Sequence, residues 1–186
     1  MDRANPLRRQ HAQLDDLDDA VGAKPASFEE LYERHRSDVY RYLRAWGSSE
    51  DEAADLTAAT FERAYRALAA PRPPQASRAW LVRIARNLAI DAARRRDAAR
   101  RGLRFWPRGE VAPDPADLVI GDETDRLLAR RVTTLPAAQR EAIVLRFGGG
   151  LSAREIGQVL DRSEAAAHKL MNRALTALRE AYRDDD

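Results

Sequence analysis

The chain has 186 residues, 44% hydrophobic and 33% charged, with 32 Lys plus Arg against 30 Asp plus Glu and an isoelectric point near 9.2. That length suits one domain or two small ones with modest cores, not a large single-core enzyme. The lack of cysteine excludes disulfides, a thiolate nucleophile and Cys-ligated metal sites; His11, His35 and His168 are too scattered for an imidazole site; and no apolar run reaches the roughly 18–20 residues of a membrane span or forms the core of a signal peptide, so a soluble cytoplasmic protein is expected.

All basic residues except Lys24 and Lys169 are arginine. The planar guanidinium suits phosphates and base edges as well as carboxylates, so the placement of these residues must decide their use. Residues 1–26 mix Arg3, Arg8 and Arg9 with the acidic stretch Leu14–Asp19, then Gly22 and Pro25. With few large apolar side chains this tail is expected to be largely disordered, with Leu14–Val21 able to form a helix on a partner.

From Ser27 the pattern is helical. Phe28, Leu31, Tyr32, His35, Val39, Tyr42, Leu43 and Trp46 recur every three or four residues and form one stripe. Ser27 with Glu30 reads as a capping box, and Gly47 stops the helix. Ser49 with Glu52 opens a second helix to about Leu68, buried along Leu56, Thr60, Phe61, Ala64 and Leu68, and Pro71, Pro73 and Pro74 forbid its continuation. A third starts near Ser77 with Trp80, Leu81, Ile84, Ala85 and Leu88 inward, making a compact three-helix bundle. Between Phe105 and Asp125, prolines, glycines and acids read as an extended acidic linker with a short helical turn at 116–120.

A second domain starts near Asp125 with Leu127, Leu128 and Val132, turns at Leu135-Pro136 and continues through Ile143, Val144 and Phe147 to Gly148-Gly149-Gly150. Ser152 and Glu155 open a helix through Leu160 that buries Ile156 and either Val159 or Leu160. After Asp161-Arg162-Ser163 a last helix runs to about Tyr182, with Ala167, Leu170, Ala174, Leu175 and Leu178 inward. No stretch alternates with period two over a strand's length, so the fold class is all-α.

Chemistry concentrates in two places. The third helix and its continuation carry Arg78, Arg83, Arg86, Arg94, Arg95, Arg96, Arg100, Arg101 and Arg104 against only Asp91 and Asp97, enough positive charge to track a phosphate backbone. Cations opposing a helix C-terminal dipole account for Arg94–Arg96 but not for those upstream. Trp80 reads as core or as a base-stacking ring, and Asn87 as a base reader only if it faces outward. The second place is the pair of helices 152–160 and 163–182, joined at helix-turn-helix spacing that would present the second helix's first residues to base edges. Arg162, His168, Lys169, Asn172 and Arg173 are the exposed candidates, and Ser152 and Ser163 are candidate caps facing phosphates; many helical hairpins of this spacing bind nothing. Asp51, Glu52 and Asp55 could bind magnesium in principle, but a first helical turn attracts acids anyway. The glycine triplet follows a helix rather than a strand, so it is not a phosphate loop. No catalytic residue, cofactor or metal site is expected.

The residues Phe28–Tyr42, Asp55-Leu56 with Thr60–Tyr65, the run Arg78–Asp91, Leu135–Glu141, and Leu151-Ser152 with Glu155-Ile156 resemble bacterial extracytoplasmic function (ECF) sigma factors of the sigma-70 family over about residues 27–183. The resemblance implies a region 2-like bundle at 27–104, a linker at 105–124 and a region 4-like helix-turn-helix domain at 125–186. It implies an alternative sigma factor that binds core RNA polymerase and directs promoter recognition, DNA melting and transcription initiation. By position, Asp55, Leu56, Thr60, Phe61, Arg63 and Ala64 correspond to the surface docked on the clamp helices of the largest polymerase subunit. Arg78, Arg83, Arg86, Asn87, Arg94, Arg95 and Arg96, with the loop 70–77, correspond to the minus-ten segment, and Ser152, Arg162, Ser163, His168, Lys169, Asn172 and Arg173 to the minus-35 reader. Contact with the flap of the second-largest subunit, and an anti-sigma factor that can hold the chain at the inner membrane, are implied in the same way.

Three departures from the family pattern stand out. Ala58-Ala59 replace the usual Gln-Glu, and Asp161 replaces the glycine of the turn, where aspartate can enter the left-handed region at modest cost. Ala166, Ala167 and Leu170 stand where basic residues are expected, so the reading helix is weakly charged. A stand-alone helix-turn-helix regulator and a helical protein adaptor are the competing readings of the same residues.

Overall fold

The computed structural model describes residues 27–101 and 131–183, without the side chains of 99–101. The expectations for the tail 1–26, the linker 105–124 with its turn, the onset of the second domain at 125–130 and Arg104 lie outside these residues. Every regular element among the described residues is helical.

Helix α1 (Phe28–Trp46) starts where Ser27, extended at φ −141°, accepts the Glu30 N–H on its Oγ at 3.2 Å, and it ends at Gly47. Of its expected stripe, Leu31, His35, Val39, Tyr42, Leu43 and Trp46 are buried, and Phe28 and Tyr32 are half-buried. In α2 (Glu50–Leu68), Ser49 Oγ accepts the Glu52 N–H at 3.3 Å, and Ala53, Leu56, Thr60, Phe61 and Ala64 are buried. Thr60, wholly buried, satisfies its hydroxyl on the Leu56 carbonyl at 2.7 Å, which is how a polar side chain can occupy this core. Phe28, Tyr32, Phe61 and Tyr65 form an edge-to-face aromatic cluster that staples the start of α1 to the middle of α2.

Helix α3 (Arg78–Arg101) differs from expectation. Leu81 and Ala85 are buried, but so are Ala79, Val82, Ala89 and Ala93, whereas Trp80, Ile84 and Leu88 are only half-buried. The buried arc is wide because α3 packs against α1 and α2 on one side and against C-terminal helices on another.

After a helical segment at 131–134, α4 (Ala137–Ile143) runs into a π-helical turn (Val144–Gly148). A π turn holds an extra residue and rotates the side chains beyond it about the helix axis. Arg146 accordingly points inward, 3% exposed, and donates from Nη1 to the Leu151 carbonyl at 3.1 Å, while the apolar Phe147 beside it is 37% exposed. Helix α5 (Ala153–Leu160) opens with a complete Ser152–Glu155 capping box and buries Ile156 and Val159, with Leu160 half-buried. Asp161 takes the left-handed conformation at φ 53° and ψ 46°, and α6 (Glu164–Arg183) follows. Its buried face is Ala167, Met171, Ala174 and Leu178; Met171 replaces the expected Leu170 and Leu175, which are half-buried. At Gly157 a Cβ would lie 2.7 Å from the Arg162 carbonyl oxygen, so the α5–α6 turn closes over a position that only glycine fits.

One core cluster runs through both halves, from Leu31, Tyr42 and Leu81 to Leu145, Leu151 and Ile156. The glycine triplet marks the crossing: a Cβ on Gly148 would sit 2.6 Å from the Ala45 Cβ of α1. A small satellite core of Leu135, Ile143, Ala174 and Leu178 is closed by buried Arg131, which donates to the Ala181 carbonyl and lies 4.4 Å from the Tyr182 ring centroid.

Candidate nucleic-acid interface

The basic face belongs to α3. Arg83, Asn87 and Arg94, spaced by four and seven residues, are all exposed and share one side of the helix. Asn87 therefore meets the condition for a base reader, while Trp80 is half-buried against the core. Arg95 is exposed and donates to the Asp91 carbonyl at 3.3 Å, and Arg96 pairs with Glu52 at the start of α2.

The upstream arginines are engaged by the C-terminal helices. Arg78 Nη2 lies 3.1 Å from the Glu155 carboxylate, Arg83 Nη2 lies 3.0 Å from the Asp161 carboxylate, and Arg86 donates from Nε to Glu141. Both partners are largely buried in the first and third of these pairs, whereas the Arg83–Asp161 pair is open to solvent. Burial alone would lower the Arg86 pKa, but the hydrogen bond and charge of Glu141, with Tyr42 and Asp161, outweigh it and raise it. Tyr42 lies beside this pair, and its phenol is pushed well up by burial and by Glu141, against the opposing charge of Arg86. Its hydroxyl is buried with no hydrogen-bond partner among the described residues, an arrangement that costs about 1–3 kcal/mol. Near Arg78, burial would raise the Asp38 carboxyl; a hydrogen bond from His35 and the charges of Arg41, Arg78 and His35 override it and hold the carboxyl low. None of the acids Glu141, Glu155 and Asp161 figured among the sequence candidates, because their partners lie 55, 77 and 78 residues away and leave no local pattern.

On α2 the candidates divide. Asp55 and Arg63 are exposed, but Leu56, Thr60, Phe61 and Ala64 form the bundle core and present no surface to another protein. The expectation that all six share a contact surface is corrected to that extent: the buried four hold the helix that displays the other two, and Tyr65, 59% exposed, joins them on the outside.

The helix-turn-helix geometry is present in α5, Asp161–Ser163 and α6. Ser163 Oγ accepts the Ala166 N–H at 3.2 Å, and Arg162, His168, Lys169, Asn172 and Arg173 are exposed, the last four on one side of α6. Ser152 does not join them, since its hydroxyl and N–H are both engaged by Glu155.

Residues 31–99 match the family described as Sigma-70 region 2, and residues 132–180 that described as Sigma-70, region 4. The ECF RNA polymerase sigma factor BldN of Streptomyces coelicolor is 33% identical over 170 residues, covering 89% of this chain and 64% of its own length, and the ECF RNA polymerase sigma factor SigK of Mycolicibacterium vanbaalenii is 30% identical over 179 residues, covering 90% of this chain and 88% of its own length. The chain belongs to the ECF sigma factors of the sigma-70 family. Members are alternative sigma factors that direct transcription initiation. Among solved structures, CnrH in complex with the cytosolic domain of CnrY is 27% identical, with 96% of this chain and 98% of that chain covered at a TM-score of 0.62. The sigma factor RpoE of Bartonella quintana, solved with the anti-sigma factor NepR, shares the fold at 21% identity, 86% and 98% coverage and a TM-score of 0.62. In this ECF sigma factor, among the described residues, no helix is long and apolar enough to cross a membrane, and no group of three His, Cys, Asp or Glu side chains could hold a metal.

Proposed function

We propose that this sigma factor divides its work as its surfaces do. Residues 27–104 form the unit that docks on core polymerase and captures the unpaired minus-ten strand, 105–124 connect, and 125–186 read the minus-35 duplex. The observation that carries the reading is the exposed line Arg83, Asn87, Arg94 on α3, where a base-reading amide is flanked by cations that can hold a phosphate backbone. Docking on the clamp helices of the largest subunit falls to the exposed outer side of α2, with Asp55 and Arg63, and the C-terminal unit contacts the flap of the second-largest subunit. His168, Lys169, Asn172 and Arg173 contact the minus-35 bases, with Arg162 and Ser163 at the phosphates.

An anti-sigma factor is the proposed inhibitor. Support comes from the complexes in which CnrH and RpoE were solved, and the cytosolic domain seen with CnrH suggests a cytoplasmic sigma factor held at a membrane by its partner. The test is permanganate reactivity of unpaired promoter thymines in reconstituted holoenzyme. Asn87→Ala with Arg94→Ala is expected to abolish opening while the chain still co-purifies with core polymerase; opening at the level of the unsubstituted chain would refute the assignment.

A further inference from the structure

Resting on the proposed minus-ten role of α3, we propose that Glu52 and Arg96 are a positioning pair. Their ion pair fixes the far half of α3 against the first turn of α2, so that Asn87 and Arg94 keep one orientation toward the promoter strand. Arg96, one of seven arginines and amides that match the minus-ten segment, then serves strand capture without touching the strand.

Glu52 stands where it could close a capping box, as Glu155 does. In α5 the Glu155 carboxylate accepts the Ser152 N–H at 2.9 Å and the box is complete. In α2 only half of that exchange is made: Ser49 Oγ accepts the Glu52 N–H, while the Glu52 carboxylate turns to Arg96, 44 residues away. Glu50 and Asp51 in the same turn stay exposed, so Glu52 is the acid that reaches α3. A local hydrogen bond of the cap is exchanged for a contact between helices.

What that contact supplies follows from its surroundings. Ala85, Ala89 and Ala93 form a buried stripe along α3, and Arg96 continues it by one turn. Small side chains interdigitate little, so they fix a helix's rotation weakly. A guanidinium held by a carboxylate is directional and fixes it better. With side chains 36% and 22% exposed, the pair is partly shielded from the screening that weakens surface pairs. Arg94, two residues earlier, points away from Arg96 into solvent, and Asp55 follows Glu52 by three residues. The pair therefore joins the turn beside the proposed polymerase contact to the turn beside the proposed strand contact.

A phosphate-binding Arg96 and a positioning Arg96 give opposite results. If Arg96 held a phosphate, releasing it with Glu52→Gln would leave strand capture unchanged or strengthen it, and Arg96→Gln would lower the salt slope of promoter binding by about one. As a positioning pair, Glu52→Gln and Arg96→Gln each slow opening, the two together do no more than either alone, and the salt slope stays the same.

The experiment follows permanganate reactivity against time in reconstituted holoenzyme on a promoter fragment, alongside the salt dependence of promoter binding. Each single variant is expected to slow opening about three- to tenfold while the chain still co-purifies with core polymerase. The reversed pair, Glu52→Arg with Arg96→Glu, should restore most of the rate, which a loss of packing alone would not allow. Normal or faster opening with Glu52→Gln, additive single effects, a salt slope lowered by about one in Arg96→Gln, or a reversed pair as slow as the single variants would each overturn the positioning role. The minus-ten reading survives any of these if Asn87→Ala with Arg94→Ala still abolishes opening. Opening indifferent to that double variant would remove the minus-ten reading and the role of the pair with it.

Discussion

Phe61 meets Tyr32 edge to face, with ring centroids 4.8 Å apart and planes at 70°, and is 3% exposed. A residue that lines up with a polymerase-docking motif is here part of the joint between α1 and α2. Phe61→Ala should therefore lower stability by about 3–5 kcal/mol through the cavity it leaves. Asp55→Arg, on the exposed side of the same helix, should leave the thermal melt within about 0.5 kcal/mol of the unsubstituted chain. It should nevertheless abolish co-purification with core polymerase, because a reversed charge repels a complementary surface. A Phe61→Ala chain that melts normally, or an Asp55→Arg chain that still binds polymerase, would reverse the assignment.

The helix-turn-helix depends on Gly157, where α5 passes under the turn and a Cβ would lie 2.7 Å from the Arg162 carbonyl oxygen and 3.3 Å from the Glu164 nitrogen. Gly157→Ala is expected to destabilise the C-terminal helices by about 1–3 kcal/mol, as forced overpacking does. Urea denaturation followed by circular dichroism reads this as a lower midpoint, and an unchanged midpoint would mean that the turn yields freely.

Much of this arrangement is legible in the sequence, and the exceptions share a cause. The serine caps at Ser27, Ser49 and Ser152 and the stripes of α1 and α2 follow from spacing alone, because a helix buried on one side repeats its apolar positions every three to four residues. That rule fails on α3, which is covered from two directions, and at the π turn, where the added residue exchanges the places of Arg146 and Phe147. It is silent about which arginines are paired across the two halves and about Gly148, whose small size matters only when α1 arrives from a distant stretch of chain. The exposed candidates on α3 and α6 were readable because cations and amides at helical spacing off the apolar stripe must face outward. The four buried α2 residues were readable as core from the same spacing; it was the motif match, which carries no information about which side of a helix it occupies, that put them on a docking surface.

Acid should act on Asp38. His35 on its own helix, with Nδ1 3.5 Å away, Arg41 one turn on and Arg78 from α3 together hold its carboxyl below the ordinary value. A depressed folded-state pKa means that the stabilisation is fully present above the unfolded value of about 3.9 and is lost as pH falls through the lower folded value. Asp38→Asn should melt at a lower temperature than the unsubstituted chain at pH 7, and the difference should shrink on titration from about pH 5 toward pH 2. A difference that does not narrow over that range would exclude this carboxylate as the source.

The proposed reading surface of α6 offers few cations, with Lys169 and Arg173 beside His168 and Asn172. Binding of the full chain to minus-35 duplex DNA without polymerase should be weak, with a salt dependence corresponding to about two to four phosphates. Lys169→Ala with Arg173→Ala should remove most of what binding there is, leaving recognition to depend on tethering by polymerase. Tight sequence-specific binding at physiological salt would instead favour a stand-alone regulator, and an unaffected double variant would place the reading surface elsewhere.

Run-off transcription from a cognate promoter by purified core RNA polymerase, with and without this chain, tests the central claim most directly. The account predicts a specific transcript only when the chain is added, lost with Asp55→Arg because polymerase is no longer bound and lost with Asn87→Ala and Arg94→Ala although polymerase remains bound. A chain that associates with polymerase yet yields no specific transcript, or transcription indifferent to both sets of substitutions, would contradict it.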